Sequence, residues 1–225
     1  MSTFHGIAGL GRSVLFDPQQ GRDCKKGQSC PVVTISRDVG ASGGNIARLL
    51  ATKLSVPCYG FSMIDDIIEQ IKSEKHLMAL VDERYPSTME SWFSDLFLKG
   101  SIPTAEYYRR IIQTVNAIAD TGGVILGRGA HLILASNPSV FRARIEGSLA
   151  HCAKRVSIRE KVTIENAKEM IALKTKERSE FLRELYKRFP NNMKYSDIVI
   201  NTDKVSDDDA VDILVYAMGK MGHDV

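Results

Sequence analysis

The sequence predicts an α/β fold in which a parallel sheet is covered by helices on both faces. Short apolar runs typical of buried strands alternate with segments of helical period along the 225 residues. The candidate strands are residues 32–36, 57–59, 124–126, 141–146 and 197–201. Alternation of this kind implies right-handed crossovers between parallel strands. The composition, 44% hydrophobic and 25% charged, is that of a globular chain and excludes wholesale disorder.

The helices are predicted from apolar spacing and from capping residues. Leucines and isoleucines recur at helical spacing over residues 46–54, and Ser62 is expected to cap a helix to about residue 73. Thr104 is expected to cap the next helix, which Gly122 and Gly123 should end. Two more helices are expected over residues 148–159 and from Thr163 to about 187.

A final helix is predicted from Ser206 and Asp209, which form a capping box. Its buried face is expected to consist of Ala210, Ile213, Leu214, Ala217 and Met221.

The chain divides into a short extension and one domain. Residues 1–31 are rich in glycine, polar and charged residues without a sustained period, which predicts a flexible arm. Residues 32–225 form the predicted domain. The arm lacks the pattern of a secretory signal, and no apolar run is long enough to span a membrane. The four cysteines lack zinc-site spacing and indicate reduced thiols, so a cytoplasmic location is expected.

Charge is concentrated in one segment. The whole chain has a formal charge of +3, which by itself argues against nucleic-acid binding. The segment from Ser148 to Phe189 has eleven Lys or Arg and six Glu, a net charge of +5. It is either a solvated helix face with Glu/Lys pairs or a surface for a partner with localised negative charge. The five histidines show no metal-ligand spacing, so no metal ligand is predicted.

A glycine-rich loop follows the first predicted strand and opens the first helix. Its residues are Arg37, Asp38, Val39, Gly40, Ala41, Ser42, Gly43, Gly44 and Asn45. Glycines let backbone N–H groups approach an anion, and the positive end of the helix dipole favours a phosphate. The P-loop motif GxxxxGK[ST] is not matched, because Gly43 stands at the lysine position and Gly44 at the Ser/Thr position. The residues alone support a phosphate site and an ordinary strand-to-helix turn equally.

Arginines supply a second set of candidates. Gly127-Arg128-Gly129 places an arginine at the carboxyl end of a predicted central strand, where ligands bind in parallel sheets. Arginine binds phosphate bidentately and stays charged. Arg155 and Arg159 share one helix face by their spacing, and Lys174 and Arg178 repeat that spacing. Such side chains can close over a transferring phosphoryl group, the alternatives being surface ion pairs and solubility.

Together these segments resemble the cytidylate kinase-like family, a divergent branch of the P-loop nucleoside monophosphate kinases. The resemblance covers residues 32 to about 218. Its most specific part is residues 124–134, VILGRGAHLIL. The other matching segments are residues 34–47, 56–59, 176–178 and 195–202.

The resemblance implies a three-layer P-loop NTPase-like fold with a parallel five-stranded sheet and a helical lid at about residues 155–188. Residues 61–102 would form the acceptor side. ATP phosphates would bind at Arg37 and at residues 40–45, Arg128 would face the acceptor phosphate, and magnesium would bridge the ATP phosphates. The catalytic lid arginines would be Arg155, Arg159 and Arg178.

Three functions follow as hypotheses. The first is ATP-dependent phosphoryl transfer to a small acceptor, with CMP as the family default. The second is a nucleotide-binding regulatory module without catalysis, because Gly60 and Thr175 stand where relatives usually have acids. The third is binding of a polyanion or a protein by the basic segment 148–189. The sequence leaves the oligomeric state open.

Overall fold

Five parallel strands form one sheet at the centre of the protein. The computed structural model describes residues 30–60, 62–65, 102–186, 196–223 and 225. The strands are β1 (Val32–Arg37), β2 (Cys58–Tyr59), β3 (Gly123–Leu126), β4 (Val140–Glu146) and β5 (Ile198–Asn201). Their order is β2-β3-β1-β4-β5, and every neighbouring pair is parallel. The predicted five-stranded parallel sheet is therefore confirmed.

Six helices connect and flank the strands in the described part of the chain. They are α1 (Gly43–Leu54), α2 (Ile102–Thr121), α3 (Ala130–Ile133), α4 (Leu149–Glu160), α5 (Ile164–Tyr186) and α6 (Asp207–Lys220). Residues 62–65 are also helical. The rest of the helix predicted to residue 73, most of the acceptor region 61–102 and residues 1–29 of the arm lie outside the described residues. The short helix α3 was not predicted.

Of the four predicted caps, Thr163 and Ser206 are confirmed, whereas Ser62 already lies inside the helical segment 62–65. Ser148, which was predicted to start a helix, is also its cap. Ser148 Oγ accepts from the N–H of His151, and Thr163 Oγ1 accepts from the N–H of Asn166 at 3.2 Å. Ser206 Oγ accepts from the N–H of Asp209 at 3.1 Å and starts α6. Thr104 is not a cap, because α2 already begins at Ile102. The first turn of a helix tolerates a proline there, since its missing N–H would lack a helical acceptor anyway.

The strands are buried on both faces, and successive residues contribute to different cores. Val33 and Val124 belong to the core beneath α1 and α6. Val32 and Ile125, their neighbours along the strands, belong to the core beneath α2. Side chains alternate along a strand, so this division requires helices on both sides of the sheet. The layered α/β prediction is confirmed.

Two smaller expectations need correction. In α6 the buried residues are Ala210, Val211, Leu214 and Met218, whereas Ile213 and Met221 are 41% and 51% exposed. The apolar stripe was placed on the wrong edge of the helix, because both edges carry apolar side chains.

The cysteine expectation is wrong for one of the described positions. Cys30 is disulfide-bonded, while Cys58 and Cys152 are free thiols. No helix among the described residues combines the length and apolar character needed to cross a bilayer.

Candidate functional site

Four arginines converge at the carboxyl edge of the sheet. They line a cavity of about 120 Å³ between the ends of β1, β3 and β4 and the last turns of α5. Arg37 ends β1, Arg128 follows β3, Arg144 lies on β4 and Arg178 comes from α5. Parallel β1 lies between β3 and β4, so their last residues must meet at one rim. Pockets for whole drug-sized ligands have about 300–1,000 Å³, so this cavity suits a smaller group such as a phosphoryl.

Arg128 is held by an unusual backbone turn. Gly127, Arg128 and Gly129 have φ values of 83°, 50° and 69°, three consecutive residues in the left-handed region. Glycine adopts this region without cost, but arginine does not. The turn redirects the chain from β3 into α3 and leaves the Arg128 side chain only 5% exposed. A strained residue that is also buried and charged is typical of functional sites.

The Arg128 guanidinium lies in an enclosure of one acid and two rings. Its Nη2 forms an ion pair with Asp65, and its Cζ lies 5.7 Å from the ring centre of Tyr107 and 5.5 Å from that of Phe181. Tyr107 donates from its hydroxyl to Asp65 Oδ1 at 3.0 Å. Burial, more than any other cause, raises the pKa of Tyr107 to about 12, so the hydroxyl remains a donor at neutral pH. Asp65 is thus fixed from two sides.

Arg144 and Arg178 bracket Asp38 on the other wall. Arg144 Nη2 binds Asp38 Oδ1 at 2.5 Å. Arg178 Nη1 donates to the carbonyl of Arg37 at 3.2 Å, which ties α5 to the end of β1. Burial lowers the pKa of Arg178, and the charge of Asp38 opposes this effect.

Arg37 is the most crowded cation of the four. Its pKa is lowered to about 10, mainly by burial and then by the charges of Arg178 and Arg128. Among the described residues, no carboxylate forms an ion pair with Arg37. Since Arg128 and Arg144 are paired with acids, Arg37 and Arg178 leave an excess of positive charge in the cavity. A divalent anion such as a phosphate would neutralise it.

The glycine loop begins at this cavity and continues into α1. Arg37, Asp38 and Val39 line the cavity, whereas residues 40–45 do not. Ser42 is the N-terminal cap residue of α1 with φ of 63°. Within the described residues, the N–H groups of Gly43 and Gly44 have no backbone acceptor. A helix start leaves such donors available for an anion.

The loop is clamped from its outer side. A Cβ on Gly40, whose φ is 87°, would lie 2.7 Å from the carbonyl oxygen of Cys152 in α4. Ser42 Oγ and Asn45 Nδ2 both donate to Asp207 Oδ2 of α6, at 2.6 and 2.7 Å. These contacts fix the loop by polar and steric means from two helices.

Thr202 completes the clamp and determines where Arg155 lies. The Thr202 hydroxyl is 1% exposed and contacts the carbonyl oxygen of Ala41 at 3.2 Å. Arg155 Nη1 donates to this hydroxyl at 3.0 Å, and its Nη2 donates to the Thr202 carbonyl. Arg155 therefore joins α4 to the loop after β5, outside the cavity lining. Arg159 is exposed on α4 and its Nε donates to the adjacent Glu160 at 2.9 Å.

The structure thus brings together some of the residues expected from sequence and not others. Arg37, Arg128 and Arg178 share one cavity, while Arg155 and Arg159 do not line it. Sequence reasoning missed Asp38, Asp65 and Arg144 as parts of the site. Arg142 and Arg144 alternate with apolar residues on the predicted strand that became β4. Charged residues on a buried strand need acidic partners, and this pattern could have predicted ion pairs there.

The described residues do not fit a magnesium ion bound by protein ligands. Gly44 has no side chain at the position where a P-loop has its Ser or Thr. In the described ranges, no group of three or more His, Cys, Asp or Glu side chains is placed to hold a metal.

The fold and the site define a class of protein. A parallel sheet of order β2-β3-β1-β4-β5, with a glycine loop from β1 into α1 and arginines at the neighbouring strand ends, is a P-loop NTPase-like fold. The chain belongs to the cytidylate kinase-like family, whose model matches residues 32–204. Among curated proteins, none matches it.

Two solved structures are similar to the chain. An uncharacterized protein from Eubacterium ventriosum ATCC 27560 is 24% identical, with a TM-score of 0.68, and the match covers 84% of this chain and 98% of that one. It supports the fold. A shikimate kinase from Bacteroides thetaiotaomicron is 15% identical with a TM-score of 0.44, over 85% of this chain and 97% of that one.

Proposed function

We propose that the protein transfers a phosphoryl group from ATP to a small acceptor, in the manner of a nucleoside monophosphate kinase. CMP is the first acceptor to test, because the chain belongs to the cytidylate kinase-like family. The observation that carries the proposal is the convergence of Arg37, Arg128 and Arg178 on one cavity beside the glycine loop. The three arginines come from different parts of the chain, and an anion in that cavity would offset the positive charge that they bring together.

The proposed reaction depends on position and charge. A transferring phosphoryl group carries negative charge on its oxygens, and fixed cations stabilise it more as water is excluded. The N–H groups at the start of α1 would bind ATP phosphates from one side. Arg128 would hold the acceptor phosphate from the opposite side, and Arg178 would contact the group in transit.

The enclosure around Arg128 supports its assignment to the acceptor. The Tyr107 and Phe181 rings cover the guanidinium and keep water from it, while Asp65 fixes its direction. A phosphate arriving there would meet a cation that is already oriented. Orientation before binding lowers the barrier of a transfer between two bound groups.

The proposal gives Arg155 and Arg159 different roles from Arg178. Arg155 would position the glycine loop through Thr202 and Ala41, because its guanidinium is committed to that contact. Arg159 would act on a phosphate only after a movement of α4, since its side chain is 59% exposed.

The test is a kinase assay with ATP, magnesium and a panel of nucleoside monophosphates that includes CMP. We expect ADP formation that depends on one acceptor, and a loss of at least about 100-fold in the Arg128→Ala variant. Lys168→Ala, an exposed residue of α5 away from the cavity, is the matched control and should keep full turnover. Equal turnover in parent and Arg128→Ala would remove Arg128 from the reaction.

The second candidate is a nucleotide-binding module that no longer catalyses transfer. Glycines at positions 43 and 44 favour it, since neither offers a lysine or a hydroxyl to the phosphates. Calorimetry with ATP separates the two functions. Binding without ADP formation across the acceptor panel supports the module, and acceptor-dependent ADP formation contradicts it.

A further inference from the structure

The side chain of Arg37 lies where a side chain at position 43 would have to go. A Cβ atom added to Gly43 would be 2.6 Å from the Cβ of Arg37 and 2.9 Å from its Cγ. The Cβ is fixed by the main chain and Cγ moves only between staggered rotamers, so rotation of the outer bonds cannot remove this overlap. Gly43 is buried at the first position of α1. Positions 37 and 43 therefore exclude each other: any side chain at one requires glycine at the other.

Position 43 is also where the P-loop motif has its lysine, which reaches the terminal phosphates of a bound triphosphate. Arg37, the last residue of β1, brings a cation to the same side of the loop. Its first carbons cover Gly43, and its guanidinium ends beside Gly127, where a Cβ would overlap Nη1 and lie 3.0 Å from Cζ. There it lines the cavity together with Arg128 and Arg178.

We propose that Arg37 replaces the P-loop lysine in this chain and binds the terminal phosphates of the nucleoside triphosphate. The inference rests on the proposed function, because it names the residue that holds the donor phosphates of that reaction. The charge has moved from the first position of α1 to the last residue of β1. Glycine at 43 is then a requirement of the new arrangement and not the loss of a binding group.

The electrostatics of Arg37 support a phosphate as its partner. Among the described residues it has no ion-paired carboxylate, and it lies close to two further cations. Such a group is unfavourable in the empty cavity and becomes favourable when a polyanion enters. Arg128 and Arg144 differ from it in this respect, since each already has an acid.

The first experiment removes the charge but keeps the packing. Arg37→Gln retains the Cβ and Cγ that cover Gly43, so the fold should survive, as thermal unfolding will show. Calorimetric titration should give an ATP dissociation constant raised about 10- to 100-fold, the ordinary effect of losing a charged contact to phosphate. Lys168→Ala, which removes an exposed cation from α5, should bind ATP as the parent does.

The second experiment moves the charge back to the P-loop position. Gly43→Lys alone should bind ATP poorly and unfold at a lower temperature, because its Cβ meets Arg37. Arg37→Gly alone should also lose affinity. The double variant Arg37→Gly/Gly43→Lys should recover at least about tenfold of the lost affinity, a coupling that independent sites do not show. Arg37→Ala/Gly43→Lys should not recover it, since alanine keeps the Cβ that lies 2.6 Å away.

The outcomes separate this inference from the proposed function. If the parent binds ATP and Arg37→Gln binds it equally well, Arg37 does not replace the lysine, whatever the protein catalyses. A folded double variant that binds no better than Arg37→Gly contradicts the replacement as well, and if the double variant does not fold, Arg37→Gln decides. A parent that neither binds ATP nor forms ADP contradicts the proposed function and this inference together.

Discussion

The guanidinium of Arg128 forms an ion pair with Asp65 across the cavity rim, with 5% of the arginine side chain and 31% of the aspartate side chain exposed. The pair joins the turn after β3 to the short helical segment at residues 62–65. A phosphate that binds Arg128 must share the cation with this carboxylate. The Arg128–Asp65 contact should therefore affect both the stability of the protein and its response to phosphate.

Replacing Asp65 should destabilise the protein and make it more responsive to phosphate. Asp65→Asn leaves a buried guanidinium without its acid, so the free energy of unfolding should fall by about 1–3 kcal/mol. Inorganic phosphate should then raise the melting temperature of the variant more than that of the parent, because the anion takes the place of the carboxylate. Melting curves at increasing phosphate concentration measure both effects.

The control for Asp65 is a second partly buried pair, Arg142–Asp197. Its side chains are 19% and 16% exposed, and it lies outside the cavity lining. Asp197→Asn should also lower the melting temperature, but phosphate should not restore it. If phosphate protects both variants to the same degree, the effect is general and not a property of Arg128.

Gly127→Ala tests whether the position of the Arg37 guanidinium matters for ATP. The new Cβ would overlap Nη1 of Arg37 and push the guanidinium out of place, so ATP affinity should fall several-fold. Gly222→Ala is a matched control, because Gly222 has φ of 79° and no atom of the described residues lies within 4 Å of its added Cβ. Both variants should lose about 1–2 kcal/mol of stability from left-handed strain. Only Gly127→Ala should bind ATP more weakly, as calorimetry would show.

The contact between the glycine loop and α4 should be intolerant of even a methyl group. A Cβ on Gly40 would meet the carbonyl oxygen, Cβ and Cα of Cys152 at 2.7 to 3.0 Å, atoms that cannot rotate away. Gly40→Ala should lower the free energy of unfolding by about 2–4 kcal/mol, from overlap and left-handed strain together. Among the described residues, Gly44→Ala in the same loop meets only Leu126, at 3.7 Å, and it should be neutral or slightly stabilising in urea unfolding. Similar losses in both variants would contradict this view of the loop.

Asp203 should contribute to the acid sensitivity of the fold. The N–H of Ser148, at 2.9 Å, is the main cause that lowers the pKa of Asp203 below its ordinary 3.8, with smaller contributions from the Ser148 hydroxyl and from His151. A lowered pKa in the folded state gives stability that is present above the ordinary pKa and lost as the pH falls through the folded value. Urea midpoints between about pH 2 and pH 5 should therefore depend less on pH in Asp203→Asn.

Asp208→Asn provides the comparison for Asp203. Asp208 is exposed in the first turn of α6, and its carboxylate takes part in no hydrogen bond among the described residues. It should keep the acid dependence of the parent. If Asp208→Asn flattens the curve as much as Asp203→Asn, the effect reports net charge and not the contact with α4.

The sheet could be predicted from sequence because each strand has a pattern that is visible within a few residues. Residues 32–37 and 123–126 are short apolar runs next to glycine turns, and such runs identify buried strands without knowledge of their neighbours. Ser148, Thr163 and Ser206 likewise indicate where the helices that follow them begin. The four-residue helix α3 gave no signal, because it is too short for an apolar period and depends on three left-handed residues before it.

The site was only partly predictable, because its pairings cross large sequence distances. Arg37 and Arg128 are recognisable as strand-end cations, but the acids that hold Arg128 and Arg144 are 63 and 106 residues away from them. Asp65 had the pattern of an exposed helix face, and nothing local indicated that it would meet Arg128. Arg155 and Arg178 carry the same charge on neighbouring helices, so sequence does not distinguish them. In the structure Arg155 binds Thr202, whereas Arg178 lines the cavity.

Arg178 and Phe181 stand three residues apart on α5, so one side of one helix contributes both a positive charge and an aromatic cover to the cavity. Any displacement of α5 would withdraw the two together. Water would then enter beside Arg128, and the local dielectric would rise at the moment the total charge fell. One movement would thus weaken the electrostatic field on a phosphate in two ways, by removing a charge and by admitting water. The position of this helix therefore determines both the charge of the site and its exclusion of water.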